Sequence, residues 1–171
     1  MDPNPFLLSS IVQPFSINAL IAFIPTLICL FVSAFVSASE VAFFSLSSKD
    51  FEQMENENHP ADEKIKSLLQ KPEHLLATIL ITNNLVNVSI IVLSSYIINQ
   101  TLNFSAFPIL GFIFETILIT FIILLVSEIM PKIFAQQHGL RMARFGAGIL
   151  KSLRSILKPF VWILVSSTSV V

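Results

Sequence analysis

The sequence predicts an all-α membrane protein: three transmembrane helices, a charged helical loop between the first two, and a juxtamembrane amphipathic helical region after the third. Of its 171 residues, 54% are hydrophobic and only 12% charged, with a mean hydropathy of +0.79. A soluble domain does not reach that balance. Three apolar segments, 17–46, 75–98 and 107–134, each exceed the roughly 20 residues needed to cross about 30 Å of hydrocarbon. All ten Lys and Arg residues then fall on one side of the three segments, which by the positive-inside rule is the cytoplasmic side.

The N-terminal stretch, 1–16, has no basic residue, and the apolar run after it is too long for the core of a signal peptide, so the first span is expected to be retained. Pro25 and Pro108 lie near the starts of the first and third spans, where a helix tolerates proline or kinks. Cys29 is the only cysteine and sits in an apolar run; no disulfide framework is possible, and it reads as a packing residue.

Residues 47–74 form the first loop. It carries Lys49, Lys64, Lys66 and Lys71 beside Asp50, Glu52, Glu55, Glu57, Asp62 and Glu63, and is expected to be an aqueous loop of one or two short helices broken at Pro60. The second loop, 99–106, has no charge and is tight. With three spans the N-terminus and this second loop lie outside and the C-terminus lies in the cytoplasm.

Region 135–171 follows the third span. Phe145, Ile149, Leu150, Leu153, Ile156 and Leu157 interleave with Lys151, Arg154 and Lys158 at helical spacing, the pattern of a basic amphipathic helix on the inner membrane surface. A linker helix buried against the bundle is the alternative. Pro159 ends the pattern, and 160–165 is apolar but too short to span. The chain stops at Val171 without a polar tail, so it is expected to be part of a longer protein.

Polar groups inside the spans carry the chemistry. Glu40 in the first span and Glu115 and Glu128 in the third would each cost several kcal/mol against lipid. Ser33, Ser37 and Glu40 are spaced i, i+4, i+7 and share a helix stripe; a close-packing face of small residues reads equally well. Asn83 and Asn87 form an i, i+4 pair, either interhelical hydrogen-bonding groups or amide oxygens for a hard cation. Ser127, Glu128 and Pro131 lie together, and Pro131 cannot donate to the carbonyl four residues earlier, at Ser127. A freed carbonyl beside a carboxylate is a candidate cation site; the alternative is that Pro131 and Lys132 end the helix.

At 1.5 Å per residue, Ser37 lies roughly 13 Å and Asn83 roughly 12 Å from the cytoplasmic ends of their spans. Hydroxyl, amide, carbonyl and carboxylate oxygens can therefore converge, without thiol or imidazole, which favours Mg²⁺, Ca²⁺ or Na⁺ over zinc or copper. His59, His74 and His138 show no ligating pattern. Glycine-rich phosphate loops and nucleophile motifs are absent from the sequence, so no enzyme activity and no nucleic-acid partner are expected.

Three stretches together resemble the transmembrane domain of the CNNM/CorC family, associated with magnesium export. They run from Ser33 through Ser37 to Glu40, from Ala77 through Asn83 and Asn84 to Asn87, and from Glu128 to Pro131 and Lys132. The resemblance implies a homodimer packed through its transmembrane helices, cytoplasmic CBS-pair and CorC-type domains downstream, and a multi-pass protein of the bacterial inner membrane. It also implies Mg²⁺ held between the spans by serine, asparagine and glutamate, with export driven by Na⁺ entry.

On that basis Ser33, Ser37, Asn83, Asn87, Ser127 and Glu128 are the expected metal ligands. Glu40, Asn84, Pro131 and Lys132 are expected at a coupling-ion site or gate. Thr82 and Ser127 stand where the family commonly has glycine. Glu115 matches no motif. The rival function is a non-transporting membrane anchor or assembly subunit, as in relatives named for gliding motility, whose polar stripes only satisfy one another.

Overall fold

The computed structural model describes residues 17–104 and 107–168, apart from the side chain of residue 168. Among the described residues eight α-helices follow in order: α1 (Ile17–Phe44), α2 (Ser48–Glu57), α3 (Asp62–Leu69), α4 (Pro72–Thr101), α5 (Pro108–Ile122), α6 (Met130–Gln137), α7 (Gly139–Ile156) and α8 (Lys158–Thr168), with a π-helical segment, Ile123–Ile129, joining α5 to α6. Three helices among the described residues are long and apolar enough to cross a membrane: Ile17–Phe44, Pro72–Thr101 and the continuous Pro108–Gln137. Each matches a predicted span to within three residues at either end.

Local chemistry explains the boundaries. Pro72 and Pro108 occupy the first turns of their helices, where the missing N–H would have had no helical partner. Pro25 lies inside α1 and is accommodated in a turn where the Thr26 hydroxyl donates to the Ala22 carbonyl at 2.8 Å. In the first loop α2 and α3 break around Pro60, and Asn58 closes α2 in the left-handed region at φ 48°, a conformation asparagine tolerates well. Ser47 starts α2 by donating its backbone N–H and its hydroxyl to the Asp50 carboxylate, at 2.7 and 2.6 Å. Those bonds hold the Asp50 carboxyl below its ordinary value, the side-chain bond most.

The main core is at the basic end of the bundle rather than between the spans. Phe43, Met54, Ile65, Leu68, Leu75 and Leu150 are almost completely buried there, drawn from α1, α2, α3, α4 and α7. The first loop forms the two short helices expected, broken around Pro60, and most of its charges face out, but Met54, Ala61, Ile65 and Leu68, with Asp62 beside them, are buried and make it a packed layer under the spans. A smaller cluster of Ile90, Ile119 and Ile123 lies between the spans, with Cys29 packed against it. Elsewhere the spans turn large side chains outward, Phe31, Ile109 and Phe112 among them, as a lipid-facing surface requires.

The described part of region 135–171 forms the helical region expected after the third span. Helix α7 buries Leu140, Ala143, Gly146, Ala147 and Leu150 and packs on α1, α3 and α4, so the bundle-linker alternative describes this face. Phe145, Ile149 and Ile156 remain exposed on the other side. A β-carbon at Gly146 would lie 3.0 Å from Ser39 Oγ, so its absence is what lets α7 approach α1. Past Leu157 the chain resumes as α8, which packs along α4.

Gly111 gives a stability prediction. It is buried in α5, and a β-carbon there would lie 2.5 Å from Phe104 Cβ. Gly111→Ala is expected to lower stability by about 1–3 kcal/mol through forced repacking, read by thermal unfolding under circular dichroism. Phe104→Gly in the same chain, which removes the β-carbon in contact as well as the ring, should relieve part of that loss; an unchanged midpoint for Gly111→Ala alone would contradict the contact.

Candidate functional site

Where α1, α4 and the π-helical segment meet, the spans bring five of the expected ligands together. Ser33 and Ser37, one turn apart on α1, are fully buried. Ser33 Oγ lies 2.8 Å from Asn83 Oδ1 and 2.7 Å from Asn87 Oδ1, and Ser37 Oγ lies 3.5 Å from Asn83 Oδ1. From the third span, Glu128 Oε1 accepts a hydrogen bond from Asn87 Nδ2 at 3.1 Å.

The orientation of the Asn87 amide follows from that last bond. An ionised carboxylate only accepts, so Asn87 must offer it nitrogen and turn its oxygen to Ser33. Ser33 has one hydroxyl proton, which can satisfy one of the two amide oxygens set within 2.8 Å of it. The cluster thus gathers hydroxyl, amide and carboxylate oxygens on three segments, donors of the kind a hard cation takes.

Ser127 is buried, but its hydroxyl donates to the Ile123 carbonyl at 2.7 Å. Thr82 does likewise, donating to the Thr78 carbonyl at 2.7 Å. At both positions the hydroxyl proton is turned onto its own helix, and the added side chain is accommodated. Asn84 is exposed and donates to the Leu80 carbonyl at 2.9 Å, apart from the cluster. Glu40 and Lys132 pair with each other at 3.1 Å, each about a third exposed, and tie α1 to α6. Glu115 is half-buried and forms neither a hydrogen bond nor an ion pair among the described residues.

The π-helical segment holds Ser127 and Glu128 and ends just before Pro131, with the Met130 N–H bonded five residues back to the Leu125 carbonyl. A continuous α-helix with one freed carbonyl at Ser127 was the sequence expectation. The chain instead widens its register over seven residues, which swings Ser127 and Glu128 relative to an α-helical course. Such segments recur at functional sites. Proline was the available signal, but it marks the place of an irregularity rather than its kind.

Sequence spacing missed the polar lock below the spans. Arg144 on α7 grips Asp62 with two nearly parallel bonds, Nε to Oδ1 at 2.8 Å and Nη2 to Oδ2 at 2.9 Å, and gives Nη1 to Glu57 at 2.6 Å. Asp62 is 7% exposed and Arg144 15%. Asp62 foremost raises the guanidinium's already high pKa, while Gln53 and then Arg144 hold Glu57 below its ordinary value. Among the described residues no group of three or more His, Cys, Asp and Glu could hold a metal, which leaves the mixed oxygen cluster as the candidate.

Residues 24–171 match the Cyclin M transmembrane N-terminal domain. The chain is 37% identical over 142 residues to the UPF0053 protein of Haemophilus influenzae, covering 83% of this chain and 33% of that protein. It is 29% identical over 133 residues to the UPF0053 inner membrane protein YfjD of Escherichia coli, covering 78% of this chain and 30% of that protein. The chain spans about a third of the length of these relatives. With three apolar spans and a domain match over most of its length, the chain belongs to the CNNM transmembrane-domain family.

Proposed function

We propose that this chain is the membrane domain of a divalent-cation transporter of the bacterial inner membrane that exports Mg²⁺, coupled to Na⁺ entry. The observation that carries the reading is the approach of one serine hydroxyl to two amide oxygens, one of which is oriented by a carboxylate. Ser33, Ser37, Asn83 and Asn87 replace water around the ion, Ser127 supports them, and Glu128 supplies the negative charge. All are hard oxygen donors. Glu40 and Lys132, joined across α1 and α6, act with Pro131 as a gate, while Asn84 serves the coupling ion.

A second reading has its own support: no buried side-chain nitrogen or oxygen among the described residues lacks a hydrogen-bond partner, as an anchor or assembly subunit would need. Mg²⁺ titration of the purified chain, by calorimetry and by protection against heat unfolding, separates the two. Saturable binding is expected; absence of binding under every condition would favour the anchor.

The transporter works as a homodimer through its spans, with the N-terminus outside, the C-terminus cytoplasmic and CBS-pair and CorC-type domains following it. Topology is tested by a cysteine at Asn103 in a Cys29→Ala background. The expected result is labelling by an impermeant reagent from outside, and labelling from the cytoplasm alone would reverse the orientation. A strictly monomeric mass in mild detergent and in nanodiscs would remove the dimer.

A further inference from the structure

A cleft of about 890 Å³ opens on the side of the basic end, between the α3–α4 junction and the α7–α8 junction. Its lining includes Lys71, Lys151, Arg154 and Lys158 and no acidic side chain. None of the four makes an ion pair among the described residues. Four like charges around one cleft repel one another unless an anion joins them. Beside them the wall is apolar: Val161 is buried, and Trp162 and Ile163 are exposed.

The position of the cleft narrows the class of anion. Lys71 immediately precedes the membrane-spanning helix α4, and α8 carries Lys158 at its start and Trp162 one turn on. Basic groups next to an amphipathic indole, at the mouth of a span, sit at the level where phospholipid phosphates meet acyl chains.

We propose that this cleft is a binding site for an anionic phospholipid, with the headgroup phosphate held by Lys71, Lys151, Arg154 and Lys158 and an acyl chain laid along Trp162 and Ile163. A free phosphate would use the charges but leave the apolar wall without a partner. The assignment does not depend on transport, since it draws on different residues from the oxygen cluster.

Trp162 is the only tryptophan in the chain and lines the cleft, so its fluorescence reports on the site directly. The chain is placed in nanodiscs of zwitterionic lipid containing a small fraction of either brominated phosphatidylglycerol or brominated phosphatidylcholine. Quenching by the brominated phosphatidylglycerol is expected at a roughly fivefold lower mole fraction or less. Arg154→Gln with Lys158→Gln should bring the two lipids to parity, while Arg154→Lys should keep the preference. Equal quenching of the parent chain by both lipids would overturn the site, and that comparison needs no variant. A preference that survives the double Gln change in a helical protein would equally overturn it. Relief of quenching by millimolar inorganic phosphate, but not by chloride at the same ionic strength, would reassign the cleft to a soluble phosphate.

Discussion

Glu128→Gln is expected to abolish Mg²⁺ binding, or weaken it on the order of a hundredfold or more, while leaving the helices folded. The substitution keeps the shape of the side chain and one oxygen that can still accept from Asn87 Nδ2, now at 3.1 Å. It removes the one negative charge in the cluster. Around a divalent ion at membrane depth, neutral oxygens replace hydration only in part, and a carboxylate contributes most of the remaining attraction. Ser37→Ala should weaken binding less, roughly tenfold, because it deletes a single neutral donor. Asn87→Ala should fall between, because it removes both an oxygen beside Ser33 and the amide that orients Glu128. Calorimetric titration with circular dichroism as the folding control decides this. Binding by the Gln variant as tight as by the parent would dismiss the site.

Arg144→Leu is expected to destabilise the chain by roughly 3 kcal/mol, a fall in melting midpoint on the order of 10 °C. The cause is the partner left behind: Asp62, at 7% exposure, would keep a charge in the layer under the spans with only the His59 N–H donating to it, at 3.2 Å. Removing that charge too, in Arg144→Leu with Asp62→Leu, should recover most of the loss, since two apolar groups leave nothing uncompensated. A double variant no more stable than Arg144→Leu alone would mean that the lock acts through packing.

The carboxylates around this layer set a pH dependence of definite sign. Asp50 and Glu57 are both held below their ordinary values of 3.8 and 4.5, so their contribution is complete above about pH 4.5 and is lost as the pH falls through their folded values. Thermal midpoints should therefore decline on acidification below that point.

How much of this was open to sequence reading differs by scale. The spans are legible because lipid leaves little choice: a run of some twenty apolar residues satisfies its backbone only as a helix. Ser33 with Ser37 and Asn83 with Asn87 are legible because 3.6-residue periodicity puts each pair on one face. The exposed course of Asn84 and the back-bonded hydroxyls of Thr82 and Ser127 were not, because each depends on which carbonyl or helix lies within about 3 Å. Charge along the first loop suggested exposure, yet its few apolar residues decide its place in the core.

By itself, then, the sequence determined three membrane-spanning helices, the grouping of every basic residue to one side, and the polar stripes that carry the candidate ligands. Only the tertiary structure decided that α1, α4 and the π-helical segment set those stripes against one another, that Glu40 pairs with Lys132, and that Arg144 closes on Asp62 across 82 positions of chain. Periodicity is a local property of backbone geometry, whereas the partner of a buried charge is chosen by desolvation among all the groups the fold brings near it.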